Sequence, residues 1–277
     1  MTNKKIPAHS IEVVPLSKNE WQFQFPRLDD RVYDLFDEAL EEFDAGNLRR
    51  AERSIRLLLE GYPEFIDAYN HLAMILDETR RHKEASQVWE TAVQIGRSAF
   101  PKSFKRNRYR LPWGILDNRP FLRAYHSWGL QLLEEQKVTD ALNVFNEILS
   151  MNPNDNQGIR ALVIDCHLRL GQPTQVVAVC KHYPNDTMEE VLYGRPLALF
   201  QLRREPEARR ALLKAIEILP NVAKELLKRT HRPPKDLKPN YVTHAGPDQA
   251  FYYWIHNGQH WVDTKGALEL LSSVYAK

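Results

Sequence analysis

Two alanines, Ala51 and Ala85, lie in the same frame of small and large apolar residues, separated by a period of about 34 residues. An interval of this length corresponds to one helix–turn–helix unit of a repeat protein. Ala141 is the next alanine in this frame and follows after one unit plus an inserted segment, whereas Ala208 follows Ala141 after slightly less than two units. The spacing therefore predicts a series of equivalent helix pairs with one insertion.

The prolines that end these units repeat the same intervals. Pro63 and Pro153 are separated by two units plus the same insertion, and Pro220 follows Pro153 at the distance at which Ala208 follows Ala141. Because two residue types of different chemistry share one period, we expect a stacked array in which each unit buries its apolar face against its neighbours.

Within the first unit, residues 32–65, the apolar residues follow helical periodicity. Leu35, Ala39 and Phe43 recur at every fourth position on a first helix, Gly46 supplies the positive φ of a helix end, and Ala51 lets a second helix approach closely. The most complete copy is the unit at 122–155, which carries Tyr125, Trp128, Gly129, Leu132, Ala141, Phe145, Ile148 and Pro153.

This combination of bulky, small and aromatic residues resembles the tetratricopeptide repeat (TPR) family over about residues 32–222. Within that family, the stretches LPWGILDNRPFLRA and NPNDNQGIR look like a subset of prokaryotic repeat proteins. The resemblance implies an all-α fold, a right-handed TPR superhelix (α-solenoid) of about five repeats with a C-terminal helical cap. It also implies protein binding rather than a reaction.

The chain is accordingly divided into six segments. They are an N-terminal extension at 1–31, TPR repeats 1 and 2 at 32–99, a basic insertion at 100–121, repeats 3–5 at 122–222, a Pro-rich basic connector at 223–247 and a C-terminal helical cap at 248–277. In the extension, the β-prone runs IEVVPL and EWQFQFP are expected either to form an arm over the first repeat or to remain mobile.

Composition favours a cytoplasmic protein. The start of the chain does not resemble a secretory signal, and no apolar stretch is long enough to span a membrane. The two cysteines, Cys166 and Cys180, are too few for a disulfide framework and are expected to be buried thiols. A formal net charge of +2 excludes neither proteins nor nucleic acid as partners, but it provides no global attraction to either.

The candidate binding site is the inner surface of the array, formed by positions two, five, six, nine and twelve of each first helix. The projection includes Phe36, Leu40, Phe43, Asp67, Met74, Ser127 and Leu130. It also gives the seven candidates for a groove that binds a peptide or helix of another protein: Tyr33, Asp37, Asn70, His71, Asp77, Arg123 and His126. The alternative is that several of these rings pack only against neighbouring repeats.

One specialised groove is not expected. TPR domains that bind the C-terminal tails of Hsp70 or Hsp90 hold the terminal carboxylates with Lys, Asn and Arg at set positions. Here those positions hold Phe36, Leu40, His71, Arg123 and Ser127. Because only Arg123 keeps a cation, Hsp70 or Hsp90 tail binding is not predicted.

The insertion suggests a second function. Its KSFKRNRYR segment places Phe104 and Tyr109 among five cations, a candidate anion patch of Lys102, Lys105, Arg106, Arg108 and Arg110. Cations can neutralise phosphates while rings stack on bases, so a nucleic-acid-associated module is the alternative to a protein adaptor. A solvated loop with no ligand explains the same residues.

The sequence contains no recognisable catalytic, cofactor or metal motif, so we expect a non-enzymatic adaptor or scaffold. His256 and His260 have the spacing of one helical turn, but no Glu follows His256 as a metalloprotease motif requires. Glycine-rich phosphate loops, Cys-x-x-Cys pairs and nucleophile elbows are absent as well.

Overall fold

A computed structural model describes residues 11–238 and 241–276. Residues 1–10 of the predicted extension, Pro239 and Asn240 of the connector and Lys277 of the cap lie outside the described part. The chain divides into two compact units, one reaching to Ile159 and the other beginning at Arg160.

Within residues 11–238, ten helices form five consecutive pairs joined by tight turns. The pairs are α1 (Asp30–Asp44) with α2 (Leu48–Gly61), α3 (Ile66–Glu78) with α4 (His82–Ser98), α5 (Arg119–Glu134) with α6 (Val138–Met151), α7 (Ile159–Arg169) with α8 (Pro173–His182), and α9 (Glu189–Gln201) with α10 (Glu205–Ile218). Three more helices follow in the second unit: α11 (Pro220–Leu226), α12 (Pro247–Asp263) and α13 (Ala267–Tyr275).

The turn inside each pair has the same backbone geometry. One residue in each turn has a positive φ between 61° and 78°, and these residues are Gly46, Arg80, Gln136, Gly171 and Arg203. Glycine adopts this left-handed conformation without a steric penalty, whereas the other three residues accept strain of about 1 kcal/mol each. This residue is the fifteenth of each repeat, so counting back from it gives the first residue of every repeat. Counted in this way, repeat four starts at residue 157.

The small residue of each second helix lies at the centre of its pair. Ala51, Ala85, Ala141 and Ala208 have no exposed surface, and Val176 fills the equivalent place in repeat four. Gly129 shows how close this packing is, since a Cβ there would lie 2.4 Å from Cε1 of Phe145. The sequence period therefore arises because each helix pair requires a small residue at its contact.

A β-hairpin precedes the repeats. Strands β1 (Glu12–Pro15) and β2 (Trp21–Gln24) are antiparallel, with Val13 opposite Phe23. The hairpin packs on the insertion between α4 and α5, because the Val13 N–H donates to the Ala99 carbonyl at 3.0 Å and the Trp21 N–H to the Arg110 carbonyl at 2.8 Å. These contacts place the hairpin on the insertion, and the Ile11 N–H just before β1 also donates to Glu64 of the first repeat at 3.1 Å.

The side chain of Asn118 joins the hairpin to the insertion. It is fully buried, accepts from the Phe23 N–H at 2.9 Å and donates to the carbonyls of Trp21 and Pro112. Rings from both segments then form one cluster, which contains Trp21, Phe23, Phe25, Phe100, Phe104, Tyr109 and Phe121. The insertion is thus a folded element with its own apolar core.

In the second unit, one apolar core joins α7–α10 to the three helices that follow. Tyr193 of α9 and Tyr253 and Trp261 of α12 are among its largest buried side chains. Cys166 and Cys180 are both buried free thiols, as predicted, and burial raises the pKa of each to about 12. No helix in the described ranges is long and apolar enough to cross a membrane.

Candidate functional site

The inner surface of the first unit is built from α1, α3 and α5, the first helices of repeats 1–3. Phe36 of α1 contacts the His71 ring of α3 at a centroid distance of 5.3 Å. Asn70 of α3 donates to the Pro120 carbonyl of α5 at 2.9 Å. These contacts fix the three helices side by side, so that equivalent positions form rows across the surface.

An apolar row runs along position nine. Met74 and Leu130 are 42% and 37% exposed, and Leu40 is half-buried at the same position of repeat one. A long apolar side chain costs free energy when it stays in water, and Met74 and Leu130 remain exposed at equivalent positions, whereas Leu40 packs in part against the core. The row therefore offers an apolar strip to a partner.

Charged and polar groups flank this strip. Arg123 is exposed and lies 3.7 Å from Asp67, which occupies the same position of the preceding repeat. The guanidinium of Arg123 also lies 5.9 Å from the Trp113 ring centroid. Tyr33 and Asp37 are exposed on α1, so three of the seven predicted groove residues face solvent.

Asn70 and His71 are held in internal contacts. Asn70 is only 4% exposed, and its amide nitrogen joins α3 to α5 through Pro120, whereas its Oδ1 is buried with no hydrogen-bond partner among the described residues. Nδ1 of His71 lies 2.9 Å from the Asp67 carbonyl of its own helix. These two residues shape the surface more than they present hydrogen-bonding groups to a ligand.

The last two candidates also have partners within the unit. Asp77 lies 2.7 Å from Nδ1 of His82 and 3.4 Å from the amide of Gln131. The potential metal-ligand atoms of Asp77, His82 and Glu134 lie within 4.8 Å of one another. His126 is half-buried near the Phe145 ring, and burial lowers its pKa, which favours the neutral imidazole.

In the insertion, the five predicted cations and the two rings have different roles. Lys102, Lys105, Arg106, Arg108 and Arg110 are all exposed, and Arg106 lies 3.4 Å from Glu147 of α6. Phe104 is buried and Tyr109 packs on Trp21. The expected interleaving of free rings and charges is therefore wrong, because these rings belong to the core of the insertion.

The histidine pair of α12 does not form one site. Nε2 of His260 lies 2.7 Å from Asp165 of α7, whereas His256 is exposed. In the same region, burial and the neighbouring Glu189 raise the pKa of Glu190 to about 8. No sequence motif marked this group of buried carboxyls, since Asp165 and the two glutamates lie on different helices.

Several solved structures of TPR proteins have a similar fold. A tetratricopeptide repeat protein from Parabacteroides merdae aligns at a TM-score of 0.53 and 15% identity, covering 69% of this chain and 68% of that chain. The MamA protein aligns at 0.52 and 12% identity over 73% and 98% of the two chains. MamA from Desulfovibrio magneticus, from residue 41 onward, aligns at 0.51 and 11% identity over 69% and 96%.

These similarities confirm the predicted all-α fold of TPR-like helix pairs. No curated protein sequence matches the chain significantly. A protein-family model does match, over residues 29–277, and its description is transcriptional repressor TCF25. The resemblance to a prokaryotic subset of TPR proteins is not what this model describes. Since the match covers nearly all of the repeats and the C-terminal helices, the chain belongs to the TCF25 family.

Proposed function

We propose that the chain is a protein-interaction adaptor whose first unit binds an apolar segment, helical or extended, of a partner protein. The observation that carries this proposal is the apolar row at position nine, in which Met74 and Leu130 are exposed and Leu40 is half-buried. Three equivalent apolar side chains on adjacent helices match the spaced anchors of a bound helix or peptide.

The charges around the row suggest the chemistry of the partner. The adjoining exposed face of α1 is acidic, with Asp34, Asp37, Glu38 and Glu41. Asp67 is close to Arg123, so that carboxylate is already partly neutralised. A segment with apolar anchors and flanking lysines or arginines therefore complements this surface.

A double substitution in the apolar row tests whether the groove binds a partner. Met74→Glu with Leu130→Glu places carboxylates in the apolar row, and both sites are exposed enough for the fold to tolerate them. Leu57→Glu is the matched control, because Leu57 is 69% exposed on α2, outside this surface. Partners captured from native extract, quantified after nuclease treatment, should be lost with the double variant and retained with the control. An unchanged partner set would rule out the groove.

A second candidate function is contact with nucleic acid through the basic insertion. It is favoured by five exposed cations held on a folded loop, and the family description as a transcriptional repressor is compatible with it. Such binding would rest on phosphate contacts, because Phe104 and Tyr109 are engaged in the ring cluster.

Charge reversal tests this second function. Lys102, Lys105 and Arg108 would be replaced by Glu, and a control of equal net charge would carry Glu at the exposed residues Arg49, Lys181 and Lys214. Binding of a labelled random-sequence oligonucleotide should weaken steeply with salt and be lost only in the first variant. Equal losses in both variants would indicate nonspecific attraction.

A further inference from the structure

The second unit fills the inner surface of its own repeats. Numbered from the left-handed turn residues, Asp165 is position nine of repeat four, and Tyr193 and Phe200 are positions five and twelve of repeat five. These are the positions whose counterparts in the first unit form the candidate groove. In the second unit each of them is in contact with α12 or with the turn that follows it.

Polar contacts fix both ends of α12 to this surface. Near its start, Gln249 donates to Glu189 of α9 at 2.6 Å, and near its end Nε2 of His260 lies 2.7 Å from Asp165 of α7. Just beyond the helix, Gln201 of α9 donates to Thr264 at 2.9 Å. Two first helices of successive repeats are thus bridged by one helix from later in the chain.

Aromatic contacts fill the middle of the interface. The Tyr253 and Trp261 rings of α12 lie 5.7 and 6.3 Å from the Tyr193 ring of α9, and the indole of Trp261 donates to the Tyr253 hydroxyl at 3.1 Å. Along α12 the buried residues include Ala250, Tyr253, Asn257 and Trp261, which recur at every third or fourth position. This is the pattern of an amphipathic helix lying in a groove.

The opposite face of α12 is exposed and carries Ile255, His256, Gln259 and Val262. Each face of the helix therefore carries one histidine and one glutamine. Gln249 and His260 face the groove, whereas Gln259 and His256 face solvent. The two sets provide an internal comparison between residues that hold α12 in place and residues that do not.

Buried carboxyl groups reduce the stability of the interface between α12 and the inner surface. The surface beneath α12 carries the carboxyls of Asp165, Glu189 and Glu190, and Oε2 of Glu190 is buried with no hydrogen-bond partner among the described residues. A buried carboxyl oxygen without a hydrogen-bond partner weakens an interface relative to apolar packing. Between Leu226 and Pro247 the described residues form neither helix nor strand, and the N–H groups of Thr243 and Ala245 donate to Asp248 and Gln249 at the start of α12.

We propose that the inner face of α7 and α9 is a second helix-binding site, which α12 occupies as an intramolecular ligand and yields to a partner helix of the same chemistry. That partner is an amphipathic helix whose buried face combines aromatic anchors with side chains that donate hydrogen bonds to an acidic surface. Because tethering gives α12 a high effective concentration, a free partner helix competes only when α12 is loosened or the partner binds more tightly.

A peptide-exchange experiment on the full chain tests this proposal. The probe is a fluorescein-labelled synthetic peptide with the sequence of residues 247–263. The inner-face variant carries Gln249→Ala and His260→Ala, and the matched control carries Gln259→Ala and His256→Ala. Loss of the inner hydrogen bonds should increase the apparent affinity for the peptide about tenfold or more, and the control should behave like the unmodified chain.

Peptide variants then define the recognition surface. Replacing Tyr253 and Trp261 by Ala in the peptide should abolish binding, whereas replacing Ile255 and Val262 should leave it unchanged. The proposal fails if the inner-face variant, shown to be folded by circular dichroism, does not bind the peptide. It also fails if inner-face and control variants bind equally.

Hydrogen exchange on the unmodified chain provides a measurement that does not depend on any variant. If α12 leaves the groove while the repeats stay folded, its amides should exchange faster than those of α9 and α10. Exchange of α12 only together with those helices would show that it is a fixed part of the core and would overturn the proposal.

Discussion

Among single residues, Gly129 shows how closely the helix pairs fit. A Cβ at this position would lie 2.4 Å from Phe145 and 3.0 Å from Val144. Gly129→Ala should therefore destabilise the chain by about 1–3 kcal/mol through overpacking, although alanine favours helix. Chemical denaturation measures the change, and Gly61→Ala, where no atom lies within 4 Å of the added Cβ, is the control. Equal effects at the two glycines would contradict this packing argument.

Glu190 provides a pH-dependent test at the same scale. Burial and the Glu189 carboxylate raise its pKa to about 8, and Asp165, Arg160 and Tyr253 also lie within its electrostatic reach. The folded state thus holds a proton that the unfolded chain releases near the ordinary value of 4.5. Its contribution to stability is complete below about pH 4.5 and is lost as pH rises through about 8.

Comparison with Glu190→Gln tests this effect, because glutamine cannot ionise; burial also raises the pKa of the adjacent Glu189, so the variant reports the response of both carboxyls. The melting temperature of the variant relative to the unmodified chain should increase between pH 5 and pH 8 and then level off. The two buried cysteines ionise at higher pH and are common to both proteins. A difference in melting temperature that does not change with pH would show that Glu190 is not the titrating group.

Among the elements, the hairpin and insertion depend on Asn118. Its side chain satisfies one backbone N–H and two carbonyls, so Asn118→Ala leaves buried groups without partners. We expect a loss of about 3 kcal/mol and a change in the fluorescence of Trp21, which packs in the adjoining ring cluster. Asn107→Ala, at an exposed position of the same insertion, should change neither property. If Asn118→Ala melts like the unmodified chain, the hairpin is held by other contacts.

The repeats could be predicted from sequence because helix contact demands a small residue at fixed intervals. Ala51, Ala85, Ala141 and Ala208 were sufficient to number four units, and the same constraint is met by Val176 in the fourth repeat. The role of Asn118 was not predictable, since an isolated asparagine has no period and its hairpin partners are backbone groups far away in the sequence. The packing of the hairpin on the insertion was missed for the same reason.

The candidate groove was only partly predictable. Helical numbering placed Tyr33, Asp37 and Arg123 in the groove, and the three residues are exposed in the structure. It could not show that Asn70 is committed to Pro120, because that contact depends on how α5 begins after the insertion. The role of α12 was also hidden, since its contacts join residues from separate helices, such as His260 and Asp165.

At the scale of the whole molecule, the two units use equivalent surfaces differently. In the first unit, Met74 and Leu130 are exposed at position nine. In the second, the position-nine residue Asp165 contacts His260 of the chain's own α12. One chain thus combines an open inner surface with one that is already filled, and we expect partner binding to begin at the open surface.

Site-specific photo-crosslinking tests this expectation most directly. A photoreactive amino acid would replace Met74 in one protein and Leu57 in another, and both would be irradiated in native extract. We expect a defined protein partner to crosslink from position 74 and not from position 57, because only the first lies on the inner surface. Equal crosslinking from both positions, or crosslinking from position 57 alone, would contradict the assignment of the groove.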